Sequence, residues 1–352
     1  MSVIPKFQFP LLKLPWVCIE HVINSSRAFN IFDLINFSLI SKRCHQIVKS
    51  LKHRALADFS IVIDKDFYQI EFGRSERYVI GKWKFHLNDE TKSKSLMQLY
   101  YVNVVDGDWI ESKATRLLAD NPESSAVNAF NYVMNLFPRP IADVVFSGIN
   151  ESEYMRRLSL FKGINQCERL FIEHVTSEHE KLLKSIRTRR SLILTYPISK
   201  NFRFDPDLMY APVLQVKHCG TSHSKDIMLR SKSKSITIFK CSLPHITPFD
   251  FRDFVLKWLD STDNTFELLA LSWLKNFKHV DFTKFFNVHY FDPNRHGQYM
   301  KHTAKKKMDM SNGYDIRRSD GLWATILVYR KQILLFYVWH ELFPDLTDLI
   351  PC

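Results

Sequence analysis

Between residues 141 and 271, short β-branched runs return at a nearly constant interval. That interval constrains the fold more than any other feature of the chain. The runs start at Ile141, Arg169, Ser191, Val213, Ser235 and Phe266, so successive starts lie 28, 22, 22, 22 and 31 residues apart. Connections of that length are too long for tight hairpins and long enough for helical crossovers, which is what parallel neighbours require. The interval approaches the roughly 20–29 residues of leucine-rich repeats, although no clean L-x-x-L-x-L ladder is present. The expectation is a leucine-rich-repeat-like half-solenoid, a mostly parallel sheet with helices on its outer face. An ordinary α/β sandwich is the alternative.

The connecting segments carry helical signals. Ala126, Phe130, Val133 and Phe137 form an apolar stripe behind Ser124 or Ser125, and Pro138 ends it. Leu158 and Phe161 suggest another helix. Ser177 and Glu180 have capping-box spacing ahead of Leu182, Leu183 and Ile186. Arg187, Arg189 and Arg190 follow, where cations favour a helix C-terminus. Asp205-Pro206 starts a short turn. Thr247-Pro248 with Asp250 opens the clearest helix, whose inner face is Phe251, Phe254, Val255, Trp258 and Leu259. Ala324 to Trp339 is the longest apolar stretch, but Arg330 and Lys331 cut it. It reads as two strands and a tight turn, since a membrane helix needs about 18 or more apolar residues.

Two shorter regions precede this part. Phe59 to Asp64, Phe67 to Phe72, Tyr78 to His86 and Leu99 to Val105 are β-branched and aromatic, with partial alternation and polar turns between them. They predict an antiparallel meander of about four strands over 58–112. In residues 8–54 three short helices are expected. Ile19, Val22 and Ile23 make a stripe after Pro15, which suits a first helical turn. Leu34, Phe37 and Leu39 or Ile40 make a second stripe. Ser41 can cap a third helix holding Cys44, Ile47, Val48 and Leu51. A unit of that size cannot bury its own apolar residues, so it wants a partner surface in this chain or another. A plain helical cap docked on the rest of the chain would satisfy the same need. The class is therefore α+β, with a small helical N-terminus, a short antiparallel region, and an α/β domain over 113–352.

The N-terminal segment resembles an F-box at Leu14-Pro15, Ile19, Val22, Ile23, Asp33-Leu34, Phe37, Leu39, Ser41-Lys42-Arg43 and Ile47. Cys44 stands where the family usually has Trp or another large residue. Phe254 to Leu259 with Phe266 to Leu269, and Asp315-Ile-Arg-Arg-Ser-Asp-Gly321 followed by Ala324-Thr-Ile326, are similar to the F-box-associated domain of nematode F-box proteins. The loop from Asp260 to Thr265 departs from that pattern. The resemblance implies a non-catalytic substrate-recognition subunit of a cullin-RING (SCF-type) ubiquitin ligase. The helices would bind a Skp-type adaptor, and through it a cullin, by Leu14, Pro15, Ile19, Val22, Ile23, Leu34, Leu39 and Ile47. The C-terminal domain would bind an unidentified protein target.

Composition narrows the remaining classes. Hydrophobic residues are 45% and charged residues 24%, enough apolar side chain to exclude wholesale disorder. Only 9 of 352 residues are Gly, which argues against phosphate-cradling loops, and no nucleotide, zinc-protease or nucleophile-elbow motif is found. No two of the six cysteines have C-x-x-C spacing, so no metal site is expected; without a catalytic motif no catalytic residue or cofactor is expected either; and the cysteines, read as reduced, fit an intracellular compartment, cytoplasmic or nuclear. No secretory leader is visible in the first fifteen residues, which hold Pro5, Pro10 and Pro15. His174 and His179 are five apart and face different sides of a helix, and Cys44-His45 likewise diverge. Asp315, Arg317, Arg318 and Asp320 read as an ion-paired turn rather than a catalytic group. Lys+Arg 49 against Asp+Glu 37 leaves +12, a surface suited to acidic partners. Nucleic-acid binding through the run Lys301 to Lys307 is thus the alternative function, with a solvated loop the simpler reading of that run. An unrecognised hydrolase is a third class, which would need a convergent pocket of titratable groups.

Overall fold

The computed structural model describes residues 11–25, 31–51, 58–75, 78–87, 95–105, 108–119, 121–138, 140–148, 151–173, 175, 179–195, 203–217, 223–239, 246–272, 280–303, 306–330, 332–346 and 349–351. The chain is mixed α/β and divides into two compact units, residues 1–142 with 160–162, and residues 143–159 with 163–352. The expected segments are 8–54, 58–112 and 113–352. The first two segments share one unit, and residue 113 falls inside a strand.

The first unit opens with α1 (Trp16–Ser25), α2 (Ile31–Ile40) and α3 (Lys42–Ser50). The Pro15 carbonyl accepts the backbone N–H of Cys18 and Ile19, at 3.0 and 3.1 Å, and so starts α1. Ser41 caps α3 as expected, its hydroxyl accepting the Cys44 N–H at 3.1 Å. An antiparallel sheet follows, of β1 (Asp58–Asp64), β2 (Phe67–Ser75), β3 (Tyr78–His86), β4 (Ser95–Val105) and β5 (Asp108–Ala119), in sequence order. The meander therefore has five strands. Next comes α4 (Pro122–Leu136), capped by Asn121 and not by Ser124 or Ser125; Asn121 Oδ1 accepts the Ser124 N–H at 2.9 Å.

Alternation places Phe59, Ile61 and Ile63 of β1, and Tyr68, Ile70 and Phe72 of β2, in the core. Phe32 of α2 packs edge-on against Phe72, 5.2 Å between centroids, and Phe72 against Trp83 at 5.2 Å. Phe130 of α4 meets Phe59 at 6.5 Å and Phe161 at 5.4 Å. The N-terminal helices thus find an apolar floor in their own unit.

In the second unit helices and strands alternate except between β8 and β9: β6 (Ile141–Ser147), α5 (Glu151–Leu160), β7 (Gln166–Ile172), α6 (His179–Ser185), β8 (Arg187–Leu194), β9 (Val213–Lys217), α7 (His223–Arg230), β10 (Ser235–Phe239), α8 (Pro248–Leu259) and β11 (Leu268–Ser272). Strands β7 to β11 pair in parallel, each with the next in sequence, and β6 neighbours β7. β8 begins earlier than expected. Arg187, Arg189 and Arg190 belong to this strand, so the helix-terminus account of them is corrected. Ser177 and His174 lie outside the described residues.

The sheet then continues antiparallel through β17 (Ile333–Val338), β16 (Trp323–Tyr329), β15 (Tyr314–Arg317) and β12 (His289–Tyr290). The anticipated turn between Ala324 and Trp339 is real, with Arg330 in the left-handed region at φ 49°. A second sheet holds β13 (Tyr299–Thr303), β14 (Lys306–Asp309) and β18 (Ile350–Pro351). The sides of β17 separate two cores. Phe336 meets Phe251, Phe254 and Trp258 of α8, and Phe266, at 5.1 to 6.5 Å. Leu335, with Leu327 and Trp339, packs on Met300, Met308 and Met310. Thr247-Pro248 and Asp250 open α8 as expected, and Thr247 and Asp250 form a capping box.

Candidate docking site

Two of the expected adaptor contacts are on the surface. Pro15 and Leu39 are exposed, Leu14 and Val22 are half-buried, and Ile19, Ile23, Leu34 and Ile47 are core residues. The last four cannot meet a partner without unfolding the unit, and their assignment as docking residues is corrected. The physical reason is that helices and sheet share one unit, in which Phe32 of α2 packs on Phe72 and Trp83, whereas sequence reading placed the sheet in a separate region. Apolar surface remains nevertheless: Leu39 is 63% and Ile40 70% exposed at the last turn of α2, and Trp16 and Val17 are exposed at the first turn of α1.

The stripe Ile31, Leu34, Ile35 and Ser38 already fills the inner face of α2, so Ile40 has no interior position. Beside this end lies a cleft of about 380 Å³ between α2, α3 and α4. Its back wall is Tyr132, whose hydroxyl lies 2.6 Å from Ser38 Oγ and 3.4 Å from His45 Nδ1. The His45 and Tyr132 rings stand edge to face at 5.6 Å. Lys42 and Gln46 form the open rim, and Lys49 donates to Asn135 Oδ1 at 2.7 Å further along α3. The cleft can hold an apolar side chain, with a cation at its mouth. Sequence reading missed Trp16, Val17 and Tyr132. The apolar pairs at 16–17 and 39–40 were the available signal, since each outruns the stripe its helix buries.

The second motif, Asp315 to Gly321, builds structure around buried Asp315 and Arg318, while Arg317, Ser319 and Asp320 are exposed. Asp315 is fully buried; its Oδ1 accepts the Thr325 hydroxyl at 2.7 Å and its Oδ2 accepts Arg295 Nη1 at 2.8 Å. His296 Nε2 stands 3.0 Å from Asp315 Oδ2 without hydrogen-bond alignment, and its ring stacks on Trp339 at 4.2 Å. Arg318, also buried, donates to Asp320, Ser261, Asn264 and the Asp263 carbonyl, and lies over the Trp258 ring. It ties the loop after α8 to the β15–β16 turn. Those hydrogen bonds, then the Leu322 N–H, hold the Asp320 carboxyl down at about 2. Gly321 takes φ +96°, a conformation side chains disfavour.

The run Lys301 to Lys307 is a hairpin of β13 and β14 and not a loop; residues 304 and 305 lie outside the described residues. Lys307 is engaged, with Nζ 4.9 Å from the Tyr299 ring centroid and 3.2 Å from the Leu346 carbonyl. Among the described residues no group of three His, Cys, Asp or Glu side chains could hold a metal ion, and no helix is long and apolar enough to cross a membrane.

Comparison with known proteins adds little. No protein-family model matches the chain. No solved structure matches it. It is 23% identical over 358 residues to an uncharacterized Caenorhabditis elegans protein, an alignment covering 96% of this chain and 80% of that protein.

Proposed function

We propose that the chain is the substrate-recognition subunit of a cullin-RING ubiquitin ligase, its N-terminal helices binding a Skp-type adaptor inside the cell. One observation carries this reading. After the first unit has completed its own core, Leu39 and Ile40 still project from α2 beside the cleft of Ser38, Lys42, His45 and Tyr132. The F-box resemblance of residues 14 to 47 says what would cover them: an adaptor presenting apolar side chains. The parallel succession β7 to β11, with a helix in most of the crossovers, supports a leucine-rich-repeat-like second unit that presents its loops to the target. Transfer of ubiquitin would follow from proximity, the ligase holding the target lysine near the charged conjugating enzyme.

Burial of the exposed parts of Leu39 and Ile40 contributes about 1–2 kcal/mol each. The double variant Leu39→Asp, Ile40→Asp should therefore weaken capture of recombinant adaptor at least ~30-fold, with the fold unchanged by circular dichroism. Undiminished capture would overturn the reading. Ile19→Asp with Leu34→Asp is not an equivalent test, since both residues are core and that variant unfolds the unit. Nucleic-acid binding, suggested by the +12 charge, predicts affinity for generic DNA that falls steeply with salt.

A further inference from the structure

The three arginines at the start of β8 have lost the explanation the sequence offered for them. They cap no helix, and Arg187 and Arg189 follow each other on one face of the strand, about 7 Å apart. Like charges so placed repel unless an anion lies between them. Arg189 is partly committed, donating to Gln166 Oε1 at 2.9 Å with Glu168 at 3.8 Å. The Arg187 side chain has no hydrogen-bond or ion-pair partner among the described residues.

Both arginines line a cavity of about 570 Å³ walled by the end of α6, the start of β8 and the turn before β9. The other charges on its wall are already neutralised: Lys184 by Glu180 at 2.6 Å, and Asp207 by Lys232 at 2.5 Å. What remains is the Arg187 guanidinium, unpartnered among the described residues, with Arg189 and its longer 3.8 Å contact to Glu168 beside it, against the apolar lining of Leu183, Leu192, Leu208 and Pro212. The ring of Tyr210, 49% exposed, flanks it.

We propose that this cavity binds an aryl phosphate monoester, carried as a phosphotyrosine side chain on the target protein. Guanidinium forks match phosphate oxygens in pairs, which a dianion beside them would use. The apolar lining and Tyr210 suit the ring that carries it. A single cavity of this size accepts one side chain, whereas a nucleic-acid strand needs a succession of phosphate contacts. The identity of the carrier rests on the target-recognition reading above; the binding of the aryl phosphate does not.

The test is titration of the full chain with phenyl phosphate, inorganic phosphate, a generic phosphotyrosine peptide and a short single-stranded DNA, without adaptor present. Saturable binding of phenyl phosphate and of the peptide is expected, at least tenfold tighter than inorganic phosphate. Arg187→Ala with Arg189→Ala should weaken both more than tenfold, and Tyr210→Ala should weaken phenyl phosphate but not inorganic phosphate. Circular dichroism confirms that the variants fold. Absence of saturation, equal binding by the arginine variant, or equal affinity for inorganic phosphate overturns the proposal. DNA binding that is abolished by the arginine variant and falls steeply with salt overturns it in favour of a nucleic-acid ligand. Adaptor capture by the same variants stays intact in every case, so failure here is distinct from failure of the ligase reading.

Discussion

Replacing Asp315 by Asn keeps the side-chain shape and removes one buried charge. Each carboxylate oxygen now faces a donor: Oδ1 the Thr325 hydroxyl at 2.7 Å, Oδ2 Arg295 Nη1 at 2.8 Å. The hydroxyl proton has no alternative target, because Thr325 Oγ1 is itself the acceptor for the Trp339 indole N–H at 2.7 Å. Asparagine must turn its NH2 toward one of these donors. Toward Thr325, it orphans a buried hydroxyl proton, at about 1–3 kcal/mol. Toward Arg295, it removes a charge-assisted bond worth about 1.5–3 kcal/mol. Either way Arg295, whose side chain is only 20% exposed, loses its counter-charge. Breaking a buried ion pair from one side costs about 3–5 kcal/mol, and that is the expected loss for Asp315→Asn. Urea unfolding followed by tryptophan fluorescence reads it as a fall in midpoint at constant slope. Thr325→Val should cost about 1–3 kcal/mol, and the double variant less than the sum, because the two residues share one proton. A loss below about 1 kcal/mol for Asp315→Asn, or strict additivity, refutes the network as described.

Because Arg318 depresses the Asp320 carboxyl to about 2, the stability it confers is complete above the ordinary carboxylate range near 4 and is lost as pH falls through about 2. Urea midpoints taken across that window should drop in the native chain and drop less in Asp320→Asn. Burial, then the negative charges of Asp143 and Glu168, push the Cys167 thiol up to about 12. Mass spectrometry after brief alkylation at neutral pH should therefore find Cys167 unmodified until the chain is unfolded, whereas the exposed Cys18 is modified in the folded protein. A Cβ at Gly313 would collide with Thr325 Cγ2 and stand 3.0 Å from the Ile326 carbonyl oxygen. Gly313→Ala should lower stability by about 1–3 kcal/mol in the same urea assay, and an unchanged midpoint would contradict that close approach.

Local signals in the sequence decided much of this protein. The opening signal at Thr247, Pro248 and Asp250 and the stripe from Phe251 to Trp258 are contained within one helix, and α8 forms where they say. Strands at Ile141, Val213 and Ser235 begin at the residues expected, since β-branched runs between helical crossovers have few other uses. Ser41 caps α3 because the cap needs only the next three residues.

Only the tertiary structure could decide which apolar faces were already covered. Ile19, Leu34 and Ile47 look like an unpartnered surface until the folded unit buries them, and no periodicity in a helix reports what lies across from it. The same limit applied to Arg187 and Arg189. A strand start and a helix end both carry cations, and the difference appears only once Arg187 pairs in register with Gln166 of β7. Asp315 to Asp320 could be recognised as ion-paired from their order along the chain. Their partners could not, because Arg295, Thr325 and Asn264 are brought to them by pairing between distant segments. Sequence spacing fixes what a residue can do locally, and burial, which depends on the whole chain, fixes whether it remains free to do it.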